Sequence, residues 1–321
     1  MINSTLCDLL GIEYPVFQGG MAWISDGKLA AAVSNGGGLG IIGAGTAPGS
    51  YICEQIRIAA SLTDKPFGVN IMLLSPFAAE AAQIAAEEKV AVVTTGAGSP
   101  AKYMALWKAA GIRVIPVIAS AAMAKLVTRA GADAVIAEGC ESGGHIGELT
   151  TFCLIPQVAD AIEIPLIAAG GIADGRGMAA ALLLGADAVQ MGTAFICSRE
   201  CTAHENYKNM ILEAGDTATV VTGRGLGHPA RSLKSRFIRR MIQMEKEQRS
   251  AEEMEQALLG SLRSAVIDGD PERGSFMAGQ IAGLVREILP AAEIIKNVVS
   301  QAEELCGNLA GQLEGRGIIL G

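Results

Sequence analysis

The sequence predicts an α/β fold, a (β/α)8 TIM barrel carrying a small helical cap, and three observations carry that prediction. Between Tyr14 and Thr193, eight short apolar runs alternate with longer alanine-rich stretches of helical periodicity, the pattern of parallel strands joined by right-handed crossovers. The pentapeptide Gly131-Ala132-Asp133-Ala134-Val135 returns as Gly185-Ala186-Asp187-Ala188-Val189. That offset is two βα units of about 27 residues each, a spacing that suits an eightfold barrel. Half of the 321 residues are hydrophobic but only 4% are aromatic, so the core has to be built from Ala, Val, Ile and Leu, which suits helices packed on parallel strands. An open doubly wound sheet is the alternative reading of the same alternation.

Taken in order, the strands are expected at 15–18, 39–42, 67–71, 90–94, 114–117, 134–138, 166–169 and 188–191. Each is short, β-branched or apolar, and closed by glycine or a polar residue. The segments 78–88, 102–110, 121–130 and 177–184 are amphipathic, rich in good helix formers and too long to be turns. After Phe195 the alternation stops. Residues 202–275 are more charged and helical in pattern, and the helix expected at 250–264 opens with Glu252, Glu253 and Glu255, where the dipole favours acids. The reading divides the chain into a barrel (1–201), a small helical cap domain (202–275) and a C-terminal helical segment (276–321) that packs back on the barrel.

Composition excludes several classes of function. The seven cysteines are scattered with no C-x-x-C pair, which argues against a disulfide framework or a structural zinc site and for a reducing compartment. The first residues lack a basic segment followed by an apolar one, and no apolar run reaches the ~18 residues of a membrane span, so the expected location is cytoplasmic. A formal charge of −8 speaks against general nucleic-acid binding. One stretch departs from that balance. Between Arg224 and Arg249 lie eight basic residues (Arg224, Arg231, Lys234, Arg236, Arg239, Arg240, Lys246, Arg249) against two acids, Glu245 and Glu247. It reads either as a solvated helix face or as a docking surface for an acidic partner.

In a barrel the loops after the strands share one face and can reach one ligand. Here they carry Gln18-Gly19-Gly20-Met21-Ala22, Gly43-Ala44-Gly45, Asn70, Thr95-Gly96-Ala97-Gly98, Ala168-Ala169-Gly170-Gly171-Ile172 and Gln190-Met191-Gly192-Thr193. Glycines with a hydroxyl residue after strands seven and eight suit a phosphate, because bare N–H groups can converge on an anion. The sixth loop, 137–147, holds four glycines, Glu138 and His145, one of only three histidines. An imidazole in a glycine-rich loop at a strand end is the candidate proton-handling group. Cys140 has no basic neighbour in sequence and reads as inert. Gly223-x-Gly225-x-Gly227 lacks a recognisable strand before it and reads as a plain loop, with His228 and Arg231 beside it, while His204 reads as solvated.

Six motifs in order, the five loops 18–22, 65–71, 138–147, 168–172 and 190–193 and the segment Ser275-Phe276-Met277-Ala278-Gly279-Gln280, together resemble the FMN-dependent enoyl-acyl-carrier-protein reductase II group within the nitronate monooxygenase-like flavin barrels. The resemblance covers nearly the whole chain. It implies one non-covalent FMN, NADH or NADPH as reductant, a homodimer, and an acyl carrier protein bearing the enoyl substrate, for which the basic stretch from Arg224 to Arg249 would be the docking surface. By position it implies that Gly170, Gly171, Gly192 and Thr193 hold the FMN phosphate. Ala22, Asn70, Glu138, Gly143, Gln190 and Met191 would line the rest of the flavin, with His145 catalytic. Those reductases carry Ala before the paired glycines, where this chain has Ser142. A nitronate monooxygenase, with His145 as base, is the nearest rival; many have Arg where this chain has Ile146. A non-catalytic flavin sensor is the reading from another class.

Overall fold

The structure, a computed structural model, describes residue 2, residues 4–309 and residue 311. Strands β1 (Val16–Gln18), β2 (Gly40–Gly43), β3 (Phe67–Met72), β4 (Val92–Gly96), β5 (Arg113–Ile118) and β6 (Val135–Glu138) come first along the chain. A two-residue strand β7 (Gly144–His145) is followed by β8 (Leu166–Ala169) and β9 (Ala188–Met191). Eight of these form one parallel sheet in the order β1-β9-β8-β6-β5-β4-β3-β2. Its edges meet at a bridge between Phe17 and Leu39, where Gln18 N–H donates to Leu39 at 3.0 Å and Leu39 N–H to Val16 at 2.9 Å. The expected barrel is therefore present and nearly closed. Boundaries move by up to two residues. Val90 and Ala91 precede β4 because Val90 N–H is spent on the end of the preceding helix, at Ala85.

The repeated pentapeptide has a structural reason. The glycines Gly131 (φ +97°) and Gly185 (φ +103°) follow helices in the left-handed conformation that glycine tolerates best. Two residues on, each aspartate reaches back to the start of the previous strand: Asp133 accepts from Val114 N–H at 2.7 Å, and Asp187 from Leu166 N–H at 2.8 Å. One local device thus sets the register of two βα units.

The barrel interior is filled by Phe17, Leu39, Ile41, Val92, Ile115, Ile136, Ile167 and Ala188. Leu6 and Leu10 of the first helix, Thr5–Leu10, join that cluster; the helix starts where the Ser4 hydroxyl accepts from Leu6 N–H. Each such side chain contributes roughly 1.5–3 kcal/mol when fully buried. Residues that alternate with these, such as Val69, Val93, Val135 and Val189, face the helical layer instead. The helix Ala291–Gly307 packs on Gly175–Leu183, where Gly175 is needed because a Cβ there would lie 2.5 Å from Ala302 N.

Residues 202–275 contain helices Glu205–Leu212, Arg236–Lys246 and Ala251–Leu258, with a small core of Phe237, Ile238, Met241 and Met254. They also contain two strands that helical periodicity does not announce, β10 (Thr219–Thr222) and β11 (Ala230–Leu233). These pair with β7 into an antiparallel sheet, β10-β11-β7, which ties the sixth barrel loop to the cap. Of the C-terminal segment expected from 276 onward, 310 and 312–321 lie outside the described residues. Among the described residues no helix is long and apolar enough to cross a membrane.

Candidate active site

The polar side chains at the C-terminal mouth of the barrel follow from strand alternation. Ile136 and Ala188 face the interior, so Glu138 and Gln190, two residues on, face it at the mouth. Asn70 joins them from β3, its amide donating to Thr94 Oγ1 at 2.9 Å, and it packs on Gly20, where a Cβ would fall 2.2 Å from its own. The Gln190 side chain lies over Gly19 in the same way, at 3.4 Å from where a Cβ would be. Gln18 is fully buried and structural: its amide donates to Ser25 Oγ at 2.8 Å and accepts from Ile41 N–H at 3.2 Å, shaping the turn that carries Ala22 against Gly45. Met191 is 1% exposed and packs in the helical-layer core, so its side chain points away from the mouth.

The loops after β8 and β9 present bare backbone. Gly170 (φ +86°) and Gly171 (φ +73°) are consecutive left-handed residues, and a Cβ on Gly170 would sit 2.7 Å from the Gly139 carbonyl. Among the described residues, no acceptor is hydrogen-bonded to the N–H groups of Gly170, Gly171 or Gly192. Thr193 is buried, and its hydroxyl accepts from Gly279 N–H at 2.9 Å. Unpaired donors beside a hydroxyl, with no side chain in the way, make a cradle for an anion.

The sixth loop is held from two sides. The stretch Phe276–Gly279 passes so close that a Cβ on Gly143 would meet the Ala278 backbone at 2.6 Å, and Gln280 N–H donates to the Glu141 carbonyl. Glu141, to which sequence reasoning gave no role, accepts from Thr151 N–H and hydroxyl and so caps the helix Thr151–Ala159. From the cap, β11 pairs Ala230 with His145 and Arg231 with Gly144, and Ile146 N–H donates to Pro229. Arg231 is 8% exposed, with its guanidinium spent on the Cys140 carbonyl (2.9 and 3.2 Å) and Thr219 Oγ1 (3.3 Å). It fastens the loop from beneath and is unavailable as docking surface. The glycine run 223–227 does follow a strand, β10, but as the link of a β10–β11 hairpin, which brings His228 beside His145. His204 caps the helix Glu205–Leu212, its Nδ1 accepting from Asn206 N–H.

Electrostatics separate the two ionisable groups of the loop. Enclosure at the barrel mouth pushes the Glu138 carboxyl up to about 7, against the pull of the Ser142 hydroxyl, which donates to Oε1 at 2.5 Å. His145 keeps an exposed face, while burial on its other sides lowers its pKa, with His228 adding to that effect. That balance biases the imidazole toward its neutral form. Burial, followed by the charge of Glu141, raises the Cys140 thiol, which keeps it protonated.

The sequence pattern of the nitronate monooxygenase family matches residues 3–88 and 81–301. The chain belongs to the nitronate monooxygenase family. It is thereby an oxidoreductase of a flavin-dependent family. A solved structure of FabK from Thermotoga maritima is 53% identical, superposes with a TM-score of 0.95, and is matched over 97% of this chain and 100% of its own. A (3aS,4S,5R,7aS)-5-hydroxy-7a-methyl-1-oxo-octahydro-1H-indene-4-carboxyl-CoA dehydrogenase of Mycobacterium tuberculosis is 35% identical over 94% of this chain and 96% of its own length. A probable nitronate monooxygenase of Staphylococcus aureus is 34% identical over 94% and 98%. The residues present fit a flavin nucleotide: an anion cradle after β8 and β9, a glycine floor at Gly19 and Gly20, and Asn70, Glu138 and Gln190 as polar groups for a ring edge.

Proposed function

We propose that the protein is an FMN-dependent enoyl-acyl-carrier-protein reductase that draws electrons from NADH or NADPH and saturates the 2,3-double bond of an enoyl thioester. What carries this reading is 53% identity to FabK over nearly the whole chain, against 34–35% to the other relatives, together with the six motifs that resemble the enoyl reductases. The FMN, when bound, supplies the hydride to substrate C3. Gly170, Gly171, Gly192 and Thr193 would hold its phosphate, with Ala22, Asn70, Glu138, Gly143 and Gln190 around the rest. Met191 would contribute through its backbone, since its side chain is in the core.

His145, whose surroundings favour the neutral imidazole, is suited to donate a hydrogen bond to the thioester oxygen as negative charge develops there, as a neutral imidazole can do without becoming an acid itself. That favours the enolate-stabilising role over direct proton donation. A nitronate monooxygenase is the second reading, favoured by the Staphylococcus aureus relative. Anaerobic oxidation of NADH or NADPH on adding crotonyl thioester supports the reductase; aerobic turnover of a nitronate without thioester activity replaces it with the rival, and neither activity leaves the sensor.

The carrier protein would dock on what remains of the basic stretch. Arg224 pairs with Glu148, Arg236 with Glu272 and Arg249 with Glu247 and Glu253, whereas Lys234, Arg239, Arg240 and Lys246 are exposed and show no ion pair among the described residues. Reversing Arg239 and Arg240 to Glu should raise KM for carrier-linked substrate by roughly 3–10-fold and spare a short thioester mimic. Equal effects on both substrates would remove this surface from consideration.

A further inference from the structure

Glu138 stands out at the barrel mouth because no cation among the described residues answers it. It ends β6 on the interior face, and its Oε1 receives the Ser142 hydroxyl at 2.5 Å. The charged and titratable groups around it are otherwise committed or neutral. Glu141 and Cys140 of the same loop are held by Thr151 and by burial, and Arg231 of β11 is turned to the Cys140 carbonyl. His145 of β7 is biased toward its neutral form by burial and by His228. No salt bridge to Glu138 occurs among the described residues. A carboxyl enclosed without a cation holds its proton more tightly than one in water, and here the balance point lies near neutrality. With one oxygen accepting from Ser142, the protonated group has its O–H free to donate toward the mouth.

We propose that Glu138 meets the ring of the bound flavin as a protonated carboxylic acid, donating a hydrogen bond to an acceptor atom there, and that Ser142 is the positioning residue that holds it and sets the pH range over which the apoprotein takes up flavin. This rests on the flavin reading of the site. The hydroxyl acts in one direction. Its hydrogen bond favours the carboxylate, so it brings deprotonation to lower pH than burial alone would.

The test titrates apoprotein with FMN, and in parallel with riboflavin to remove the phosphate's own ionisation, between pH 6 and 9 by quenching of flavin fluorescence. Wild-type Kd is expected to weaken by up to tenfold per pH unit above about 7, with proton uptake on binding seen by calorimetry in two buffers of different ionisation heat. Ser142→Ala should move the break to higher pH. Glu138→Gln keeps an N–H donor that does not titrate, so it should bind flavin with little pH dependence. A flat wild-type profile with no proton uptake, or an unchanged slope in Glu138→Gln, overturns the inference while leaving the flavin reading standing. If Glu138→Gln does not fold, an unshifted Ser142→Ala profile overturns it instead. Failure of the wild-type apoprotein to bind either flavin at any pH overturns both.

Discussion

The two sides of the barrel mouth are built differently. On the β8–β9 side, Gly170, Gly171, Gly192 and Thr193 lie within two residues of the barrel strands that precede them, with one distant contact, from Gly279 N–H to the Thr193 hydroxyl. On the β6 side, His145 is seven residues past its strand and is positioned by β11, more than eighty residues away in sequence, with Arg231 bonding beneath it. On the proposed reading, the difference teaches that the phosphate-holding side is built mainly from local strand ends, whereas the side that carries His145 is tertiary. A ligand cradle needs only strand ends and glycine, whereas a catalytic side chain has to be held in one position by contacts from more than one direction.

The sharpest test of that division is His145→Ala. It should leave FMN bound and its reduction by nicotinamide largely intact while slowing reoxidation by enoyl thioester roughly 10²–10⁴-fold, read by stopped flow on the two half-reactions. Equal losses in both halves would merge the two sides into one structural unit. Next comes the opposite side. Gly170→Ala forces a Cβ to 2.7 Å from the Gly139 carbonyl at φ +86°, a strain of about 1–3 kcal/mol, so FMN should bind roughly 5–150-fold more weakly. Fluorescence titration measures this, and unchanged affinity would mean the cradle does not carry the phosphate.

Arg231→Met probes the tether between the sides. It leaves the Cys140 carbonyl without its guanidinium, at a cost of about 1–3 kcal/mol in thermal stability, and should lower the reoxidation rate with little change in FMN affinity. Loss of flavin in this variant would show that the cap sheet supports both halves. The smallest effect expected is in the pH dependence of apoprotein Tm. Glu138 is raised from an ordinary 4.5 to about 7, so the folded state binds the extra proton and the stability it contributes is lost as pH rises across that window. His145 is lowered from 6.5, so its contribution runs the other way and is lost as pH falls below that value. Comparing Glu138→Gln with wild type isolates the first term: the variant should lack a fall of a few degrees between pH 5 and 8. A wild-type and variant Tm that move in parallel would remove Glu138 from the balance.

Much of this was legible in the chain. Eight apolar runs and the Gly-Ala-Asp-Ala-Val repeat determine a barrel because strand burial and the aspartate's grip on the preceding strand are short-range effects, repeated wherever the residues recur. Asn70, Glu138 and Gln190 were singled out by resemblance to the family motifs, and the period-2 geometry of their strands is the local reason that they face the mouth. What only the tertiary structure decided depends on pairing across long separations. The strands β10 and β11 have no hydrophobic alternation strong enough to announce them, and they exist where β7 offers an edge. Arg231, in sequence one member of a basic run, became a buried tether because that pairing turned it inward. The proton affinities of Glu138 and His145 were equally beyond the sequence, because they are set by which groups enclose them and not by which residues stand beside them in the chain.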